Sequence, residues 1–296
     1  MSGAIVECVP NFSEGRDRAK VARIAAAIQS APGVAVLDQT LDADHNRSVI
    51  TFAGGPEAIA EGALRGVASA VAEIDLNQHQ GVHPRVGAAD VVPFVPIAGV
   101  TLAECAVIAA RAGEQVWRRL GVPVFLYGAS ATRPERAALE NVRREVRTQP
   151  DRHPDFGEGA LHPTAGATVV GARNILIAFN VNLDTADVAI ARAIARKVRF
   201  SSGGLPHVKA LGLLLRSRGI AQVSMNLTDF EQTPVHLVFQ AVREEATRLG
   251  VKVRSSEIVG LIPRKALEMA EGCDLRIENF RPELILEDRL KAFGLL

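Results

Sequence analysis

The chain has few aromatic residues and few cysteines. Aromatic residues make up 4% of the 296 positions, so alanine, valine, leucine and isoleucine must build most of the core. The three cysteines, Cys8, Cys105 and Cys273, are odd in number and far apart, so they lack the spacing of a metal site or a disulfide framework. Free thiols are typical of a reducing compartment, and we therefore expect a cytoplasmic protein.

The sequence also lacks an excess of charge of either sign. Its 34 basic residues nearly balance 33 acidic ones, for a net charge of +1. Because proteins that bind DNA or RNA usually carry a basic surface, we expect no nucleic-acid partner. Long apolar runs are missing as well, and the first residues lack a basic start followed by an apolar run. We therefore expect neither a membrane span nor a signal peptide.

What the sequence does contain is a regular alternation of strand and helix patterns. With 48% hydrophobic and 23% charged residues, a chain of this length can bury two cores. The first half has the order β-α-β-β-α-β. Its predicted elements are a strand at 5–9, a helix around 21–28, a strand at 34–37, a polar loop at 42–47, a strand at 48–52, a helix from 56 to about 71, and a strand at 88–94. A helix at 105–120 and a strand at 122–127 follow.

The second half repeats this order. Its predicted elements are a strand at 174–181, a helix at 185–197, strands at 208–215 and 222–227, a helix opening at 234, a strand at 258–262 and a short helix from 264. The repeat predicts an α/β or α+β protein of two similar ferredoxin-like subdomains, 1–172 and 173–296, produced by duplication. The alternative is the plain alternation of any α/β protein, because residue identity between the halves is weak. We expect a cleft between the two subdomains to hold the active site.

A segment of different character separates the halves, from about 129 to 167. It starts with charged residues, 133–152, of which some are predicted to be helical, and it ends in a stretch rich in glycine, proline and histidine. A long irregular loop inside a compact chain is usually a linker or a functional loop. We expect this segment to line the cleft.

The densest polar segment, residues 77–90, contains a histidine followed by proline and arginine. Pro84 disfavours helix at His83 and holds it extended, and histidine can both give and take a proton near neutral pH. Arg85 could bind a carboxylate through two parallel hydrogen bonds. His79 and His83 are four residues apart, as on a zinc-binding helix, but Gly81 and the proline break such a helix, so we predict no metal site. Residue spacing alone leaves two interpretations of the histidine open, a structural loop residue and an acid/base catalyst.

Ordered blocks along most of the chain carry a resemblance to a known family. They are residues 6–15, 44–48, 81–88, 90–96, 123–128, 166–173, 178–183, 222–227 and 259–263. In these blocks the chain resembles the glutamate formiminotransferases, which occur alone in bacteria and fused to a cyclodeaminase in animals. The resemblance implies transfer of the formimino group from N-formimino-L-glutamate to tetrahydrofolate, in histidine degradation and one-carbon metabolism. It implies tetrahydrofolate as co-substrate, small-molecule partners and, by analogy alone, a homodimer.

The resemblance also implies roles for particular residues. The family's catalytic histidine matches His83, and its folate-binding loop matches 157–166. Within that loop the candidate folate-binding residues are Gly157, Glu158, Gly159, His162, Thr164, Ala165 and Gly166. Candidates for binding the substrates are Asn11, Asp42, Asn46, Arg47, Arg85, Asn180 and Asn182. The alternatives are a plain linker for the loop, turn and cap roles for the asparagines, and surface positions for the arginines.

Two positions depart from the family's pattern. Val82 stands where well-known members have a glutamate, and Thr40 stands where the animal enzymes have an aspartate, although Asp38, Asp42 and Asp44 lie nearby in the sequence. A carboxylate beside the histidine could pair with an amidinium or raise the histidine pKa. Two alternatives therefore remain: a related formyl or formimino transferase with a different donor, and a folate-binding protein without catalysis.

Overall fold

The structure, a computed structural model, describes residues 3–149, 153–278 and 280–296. The chain divides into two compact units, Met1–Asn174 with Leu295–Leu296, and Ile175–Gly294. Each unit packs helices against a β-sheet. This organisation confirms the predicted two-domain α/β protein.

The first unit contains seven strands in its described residues. They are β1 (Ile5–Cys8), β2 (Asn11–Phe12), β3 (Val34–Asp42), β4 (Arg47–Gly54), β5 (Ala89–Ala98), β6 (Val124–Gly128) and β7 (Thr168–Ala172). The helices are α1 (Arg18–Gln29), α2 (Pro56–Glu73), α3 (Leu102–Leu120) and α4 (Leu139–Thr148), with a 3-10 turn at Pro134–Ala137. Strands β1 and β2 both pair antiparallel with β4 on one side and β5 on the other. Strand β3 extends the sheet beyond β4, while β7 and then β6 extend it beyond β5 in parallel.

Local sequence signals fix the ends of the helices. Helix α3 begins with a capping box, in which Thr101 accepts the Glu104 N–H at 3.2 Å and the glutamate carboxylate accepts the threonine N–H at 2.8 Å. It ends at Leu120 and is capped by Gly121, whose φ of +65° is costly for most other residues. Helix α2 begins at Pro56, where the missing N–H would have no helical partner anyway.

Two apolar clusters lie in the first unit. The larger cluster joins α1, α2 and α3 to the sheet, and Phe12, Phe52 and Phe94 are fully buried within it. The smaller cluster joins α4 to β5, β6 and β7 through Val142 and Val146. Helix α4 is therefore anchored on the sheet by valines at the i, i+4 spacing.

The second unit has a four-stranded antiparallel sheet in the order β11-β8-β10-β9. Its strands are β8 (Ile177–Leu183), β9 (Val208–Leu215), β10 (Ile220–Leu227) and β11 (Val253–Val259). Its helices are α5 (Val188–Val198), α6 (Val235–Arg248), α7 (Arg264–Glu268) and α8 (Leu286–Ala292), with 3-10 turns at Phe200–Ser202 and Pro282–Leu284. In the first unit, β3, β4, the β1/β2 pair and β5 follow one another in the same spatial order as β9, β10, β8 and β11. None of the helices in the described parts of the chain has the length and apolar character needed to cross a membrane.

Several predicted elements are wrong in extent. The predicted loop at 42–47 shrinks to a turn, because β3 and β4 pair as far as Asp42 and Arg47. The last strand of the second unit is 253–259 rather than 258–262, and Gly260, with φ of +79°, follows its end. The strand predicted at 174–181 lies at 177–183. Pairing between strands in the folded protein decides where these elements begin and end. The apolar runs in the local sequence do not reveal that pairing.

Two strands of the first sheet were not predicted. Strand β2 is only two residues long, and β7 directly follows the segment interpreted as an irregular connection. Buried parallel strands carry no polar and apolar alternation, which explains why β7 is hard to find from its pattern. The helix expected within 133–152 is α4, and residues 150–152 lie outside the described residues.

Candidate active site

His83 lies in the loop that joins α2 to β5, and the residue is half-buried. Its Nδ1 atom lies 2.8 Å from the carbonyl oxygen of Pro84. Since a carbonyl can only accept a hydrogen bond, Nδ1 carries the proton and Nε2 is the basic nitrogen of the neutral ring. Gly81 permits this loop to approach the β3–β4 turn, because a Cβ atom there would lie 2.4 Å from the carbonyl oxygen of His45.

A buried ion cluster lies close to His83. Asp90, at the start of β5, is fully buried and accepts hydrogen bonds from Arg47 Nη1 at 2.8 Å, from Arg143 Nη2 and from the Val86 N–H at 2.7 Å. Burial alone would raise the pKa of Asp90, but the charges of Arg143 and Arg47 outweigh it and hold that pKa well below its usual range. The carboxylate is therefore ionised near neutral pH.

The cluster carries more positive than negative charge. Arg47 and Arg143 donate to the single carboxylate of Asp90, while Arg85 interacts with Asp90 electrostatically and donates to the carbonyl oxygen of His79 at 2.9 Å. Burial, with the nearby charge of Arg143, lowers the pKa of Arg47 to about 10, so it stays protonated near neutral pH. The excess charge favours an anion at this position.

The same surroundings keep His83 uncharged. Burial lowers the pKa of His83 first, the charges of Arg47 and Arg143 lower it further, and Asp90 opposes them only in part. The pKa lies well below its usual value. Near neutral pH this histidine is therefore a neutral imidazole that can accept a proton at Nε2.

Helix α4 brings Arg143 to the cluster, and a second buried arginine fixes that helix. Arg136 is 1% exposed, donates to Glu145 of α4 at 2.9 Å and to Asp155 at 2.8 Å, and covers the ring of Phe125 at 5.0 Å. The charged helix interpreted from the sequence as part of a connecting segment is thus an inward-facing element of the first unit.

Asn11 and Asn46 use their side chains within the protein. Asn11 accepts from Arg47 Nε at 2.9 Å and donates to the carbonyl oxygen of Val9 at 3.0 Å. Asn46 accepts from the Gly15 N–H at 3.0 Å and donates to the carbonyl oxygen of Gln80 at 2.9 Å. Both asparagines therefore orient the candidate site, and their roles as substrate ligands stay predictions.

His45 occupies the β3–β4 turn beside His83. The two ring centroids are 5.9 Å apart. The His45 backbone N–H donates to Asp42 Oδ1 at 2.7 Å, while Asp42 Oδ2 lies 4.0 Å from His45 Nδ1. The Nε2 atom of His45 is buried and has no hydrogen-bond partner among the described residues.

The glycine-rich segment at 157–166 is hydrogen-bonded to the His83 loop. The Leu76 N–H donates to the carbonyl oxygen of Thr164 at 2.8 Å, and the Ala88 N–H donates to that of Ala165 at 2.9 Å. Gly166, with φ of +70°, is tightly enclosed, because a Cβ atom would lie 2.3 Å from the carbonyl oxygen of Val86. The two candidate segments thus form one surface of the first unit.

The segment also has an internal turn. His162 Nδ1 accepts from the N–H groups of Thr164 at 3.3 Å and Ala165 at 3.0 Å. Gly157 and Gly159 have φ values of +132° and +89°. These backbone conformations are accessible to glycine and disfavoured for most other residues.

Asn180 and Asn182 belong to the second unit and lie on β8. Asn180 donates to Glu257 at 2.9 Å, and Asn182 donates to Ser255 at 3.1 Å and accepts from Gln222 at 2.9 Å. This polar network crosses three neighbouring strands and is mostly buried. Its geometry accounts for both asparagines as structural residues, so their substrate roles stay predictions.

The sequence pattern does not single out Asp90, Arg143 or His45 as site residues. The aspartate and His45 lie in blocks that carry the family resemblance, whereas Arg143 lies in a charged helix, where an arginine usually faces solvent. The described residues contain no group of three or more histidine, cysteine, aspartate or glutamate side chains that could hold a metal ion.

An uncharged imidazole beside a buried ion cluster is typical of an enzyme active site. Comparison with known families identifies the class. Residues 5–173 match the model for the "Formiminotransferase domain, N-terminal subdomain", and residues 178–288 match the model for the "Formiminotransferase domain". The chain therefore belongs to the formiminotransferase family and is a transferase.

Individual relatives agree with this assignment. The chain is 47% identical to a glutamate formimidoyltransferase of Streptococcus pyogenes, over 97% of this chain and 98% of the relative. It is 42% identical to a glutamate formimidoyltransferase of Thermoplasma acidophilum over the same shares of the two chains. It is 43% identical to the formimidoyltransferase-cyclodeaminase of Mus musculus, over 89% of this chain and 51% of the mouse protein. Among solved structures, a microcompartment protein from Desulfitobacterium hafniense covers 90% of this chain and 98% of its own, but its 11% identity and TM-score of 0.23 are too low to bear on fold or function.

Proposed function

We propose that the protein transfers the formimino group of N-formimino-L-glutamate to tetrahydrofolate, with His83 as general acid and base. The observation that carries the proposal is the neutral imidazole of His83, with Nδ1 bound to a carbonyl, beside the cluster of Arg47, Asp90 and Arg143. The names of the streptococcal and archaeal relatives support the reaction.

The chemistry requires a group that both takes and gives a proton. The secondary amine of the reduced pterin attacks the amidinium carbon, a tetrahedral intermediate forms, and the amine of glutamate leaves. Nε2 of His83 takes the proton of the attacking amine, because the lowered pKa keeps the ring neutral. Holding both substrates in one orientation supplies a further part of the rate.

The positive cluster suits the donor. N-formimino-L-glutamate carries two carboxylates, and Arg47, Arg85 and Arg143 exceed the charge of the one aspartate among them. Arginine binds carboxylates through charge-assisted and often paired hydrogen bonds. We therefore assign the carboxylate end of the donor to this cluster.

The segment at 157–166 is the proposed binding loop for tetrahydrofolate. Its hydrogen bonds to the His83 loop support a co-substrate position next to the catalytic histidine. Its exposed Glu158 and its half-buried His162 and Thr164 offer polar groups for a pterin. We propose that the reaction uses tetrahydrofolate as co-substrate and needs no metal.

We also infer that the two units descend from the duplication of a ferredoxin-like subdomain, with a boundary at 172–173. The recurring strand order supports the duplication. The division of the chain after Asn174 and the gap between the two family matches support the boundary. A cytoplasmic location and a homodimer stay predictions from the sequence.

A different donor is the second candidate. Val82 is 42% exposed beside His83, so the chain offers an apolar side chain at the position of the expected glutamate. An apolar contact there favours a formyl or formimino donor with less charge near its reacting carbon. The two candidates are separated by a transfer assay in which N-formimino-L-glutamate competes with a less charged formyl or formimino donor, since the protein should prefer its own donor.

The decisive experiment measures glutamate release from N-formimino-L-glutamate with and without tetrahydrofolate. The His83→Ala variant should lose about 100- to 10,000-fold in kcat, the usual worth of a positioned acid/base, and should still bind tetrahydrofolate. His153→Ala is the matched control, since its side chain is exposed. Binding of tetrahydrofolate without transfer from any formimino donor would make the protein a folate-binding module and overturn the proposal. If chelators abolished the activity and tetrahydrofolate were not required, the protein would instead be a metal-dependent hydrolase.

A further inference from the structure

His45 has three features that a structural turn residue does not need. Its side chain is 9% exposed, its ring lies 5.9 Å from that of His83, and its buried Nε2 has no hydrogen-bond partner among the described residues. Buried polar atoms are nearly always paired, so an unpaired one beside a catalytic candidate points to a partner supplied by the substrate.

The turn holds this imidazole in one place. The His45 N–H donates to Asp42 Oδ1 at 2.7 Å, and Asn46 adopts a φ of +47° that closes the turn. Asp42 Oδ2 lies 4.0 Å from His45 Nδ1, so a carboxylate faces one nitrogen of the ring. The carboxylate therefore orients the ring from the Nδ1 side, while the buried Nε2 has no partner among the described residues.

The surroundings of His83 favour only one of the two proton transfers that the reaction requires, which is the acceptance of a proton. Arg47 and Arg143 disfavour a positive charge on His83, so its resting form is the neutral ring, which accepts a proton. The reaction nevertheless needs a proton at the amine of glutamate as that amine leaves. Two imidazoles can carry out the two proton transfers separately, one as the base and the other as the acid.

We propose that His45 is a second catalytic residue, which protonates the departing glutamate amine while His83 accepts the proton of the attacking amine. This inference rests on the proposed function, and it moves the proton-donating half of the role proposed there for His83 to His45. In the step, a bond forms between the pterin nitrogen and the formimino carbon, and the bond from that carbon to the glutamate nitrogen breaks. His83 gains one proton and His45 loses one, so the charge of the pair is unchanged. Proton transfer from His83 back to His45 restores both rings.

The test compares two donors with leaving amines of different basicity. One donor is N-formimino-L-glutamate, and the other is the N-formimino derivative of 4-aminobenzoate, whose less basic amine is the better leaving group and depends less on a proton from a general acid. The His45→Gln variant should lose about 100-fold or more in kcat with the first donor and less than 10-fold with the second. His83→Ala should lose activity with both.

The controls separate this inference from the function on which it rests. His236→Gln removes another histidine with a buried, unpaired nitrogen, but on α6 of the second unit, and should behave as wild type with both donors. Tetrahydrofolate affinity and thermal unfolding of His45→Gln should match wild type. Equal losses with the two donors, or an unchanged kcat, would overturn the role of His45 while leaving the transferase assignment intact. A wild-type protein without any transfer would overturn the proposed function itself.

Discussion

Arg143 on helix α4 hydrogen-bonds the fully buried carboxylate of Asp90, which lies 53 positions earlier in the chain. This contact ties a charged helix to the start of β5 and places a second arginine opposite Arg47. It also adds to the positive charge that keeps His83 neutral.

Removing the carboxylate should destabilise the first unit. Asp90→Asn leaves Arg47 and Arg143 without their shared counter-ion, and breaking a buried ion pair typically costs about 3–5 kcal/mol. Chemical denaturation should report that loss in the free energy of unfolding. Asp184→Asn, at an exposed position, should change it by less than about 0.5 kcal/mol. A similar stability for the two variants would contradict the structural role of the cluster.

Removing one arginine should move the pH dependence of catalysis. Arg143→Met takes away a charge that lowers the pKa of His83, so the pKa of His83 should rise. Since the base must be neutral, the acid limb of kcat/KM should then move to higher pH. Arg144→Met, the exposed neighbour on the same helix, should leave the limb in place. A shift of equal size in both variants would argue against a local effect of Arg143.

The lowered pKa of His83 should also make folding sensitive to acid. The pKa in the folded state lies below that of the unfolded chain, about 6.5. Below that pH the unfolded chain takes up the proton first, so the free energy of unfolding should fall as the pH falls. His83→Gln should flatten this dependence below about pH 6.5, as measured by urea denaturation at each pH. His153→Gln should retain the wild-type slope.

The contact of Gly166 with the His83 loop should matter for co-substrate binding. In Gly166→Ala, the new Cβ atom would clash with the carbonyl oxygen of Val86, and the left-handed φ adds strain. We expect weaker binding of tetrahydrofolate, measured by titration calorimetry, together with a lower melting temperature. Gly121→Ala is a close control, since its φ of +65° carries similar strain and no atom lies within 4 Å. It should cost about 1–2 kcal/mol of stability and leave folate affinity unchanged.

Several features of this protein can be predicted from local sequence. The helices α2 and α3 follow from an apolar face and from their terminal residues, which act over a few positions. The extended backbone predicted for His83 from Pro84 stays a prediction, since the structure has a bend at this residue. The need for glycine at 81 and 166 becomes clear only when their neighbours are known.

Other features depend on contacts that local sequence does not report. Helix α4 has charged residues on most of its surface, and only the spacing of Val142 and Val146 signals that one side is buried. Nothing near Arg143 in the sequence indicates that its partner is Asp90. Likewise, Asn11 and Asn46 have side chains that could bind a substrate. In the structure these side chains hydrogen-bond to residues from distant parts of the chain instead.

Asn46 joins three separate stretches of chain through one residue. Its side chain bonds to Gly15 and Gln80, and its carbonyl oxygen lies 2.8 Å from His79 Nε2. Asn46 therefore fixes three segments to one another: the His83 loop, the turn that carries His45 and the loop after β2. Protein engineering has to treat these segments as one unit. A graft of the His83 loop from another family member should function only when the residues equivalent to Gly15 and Asn46 are transferred with it.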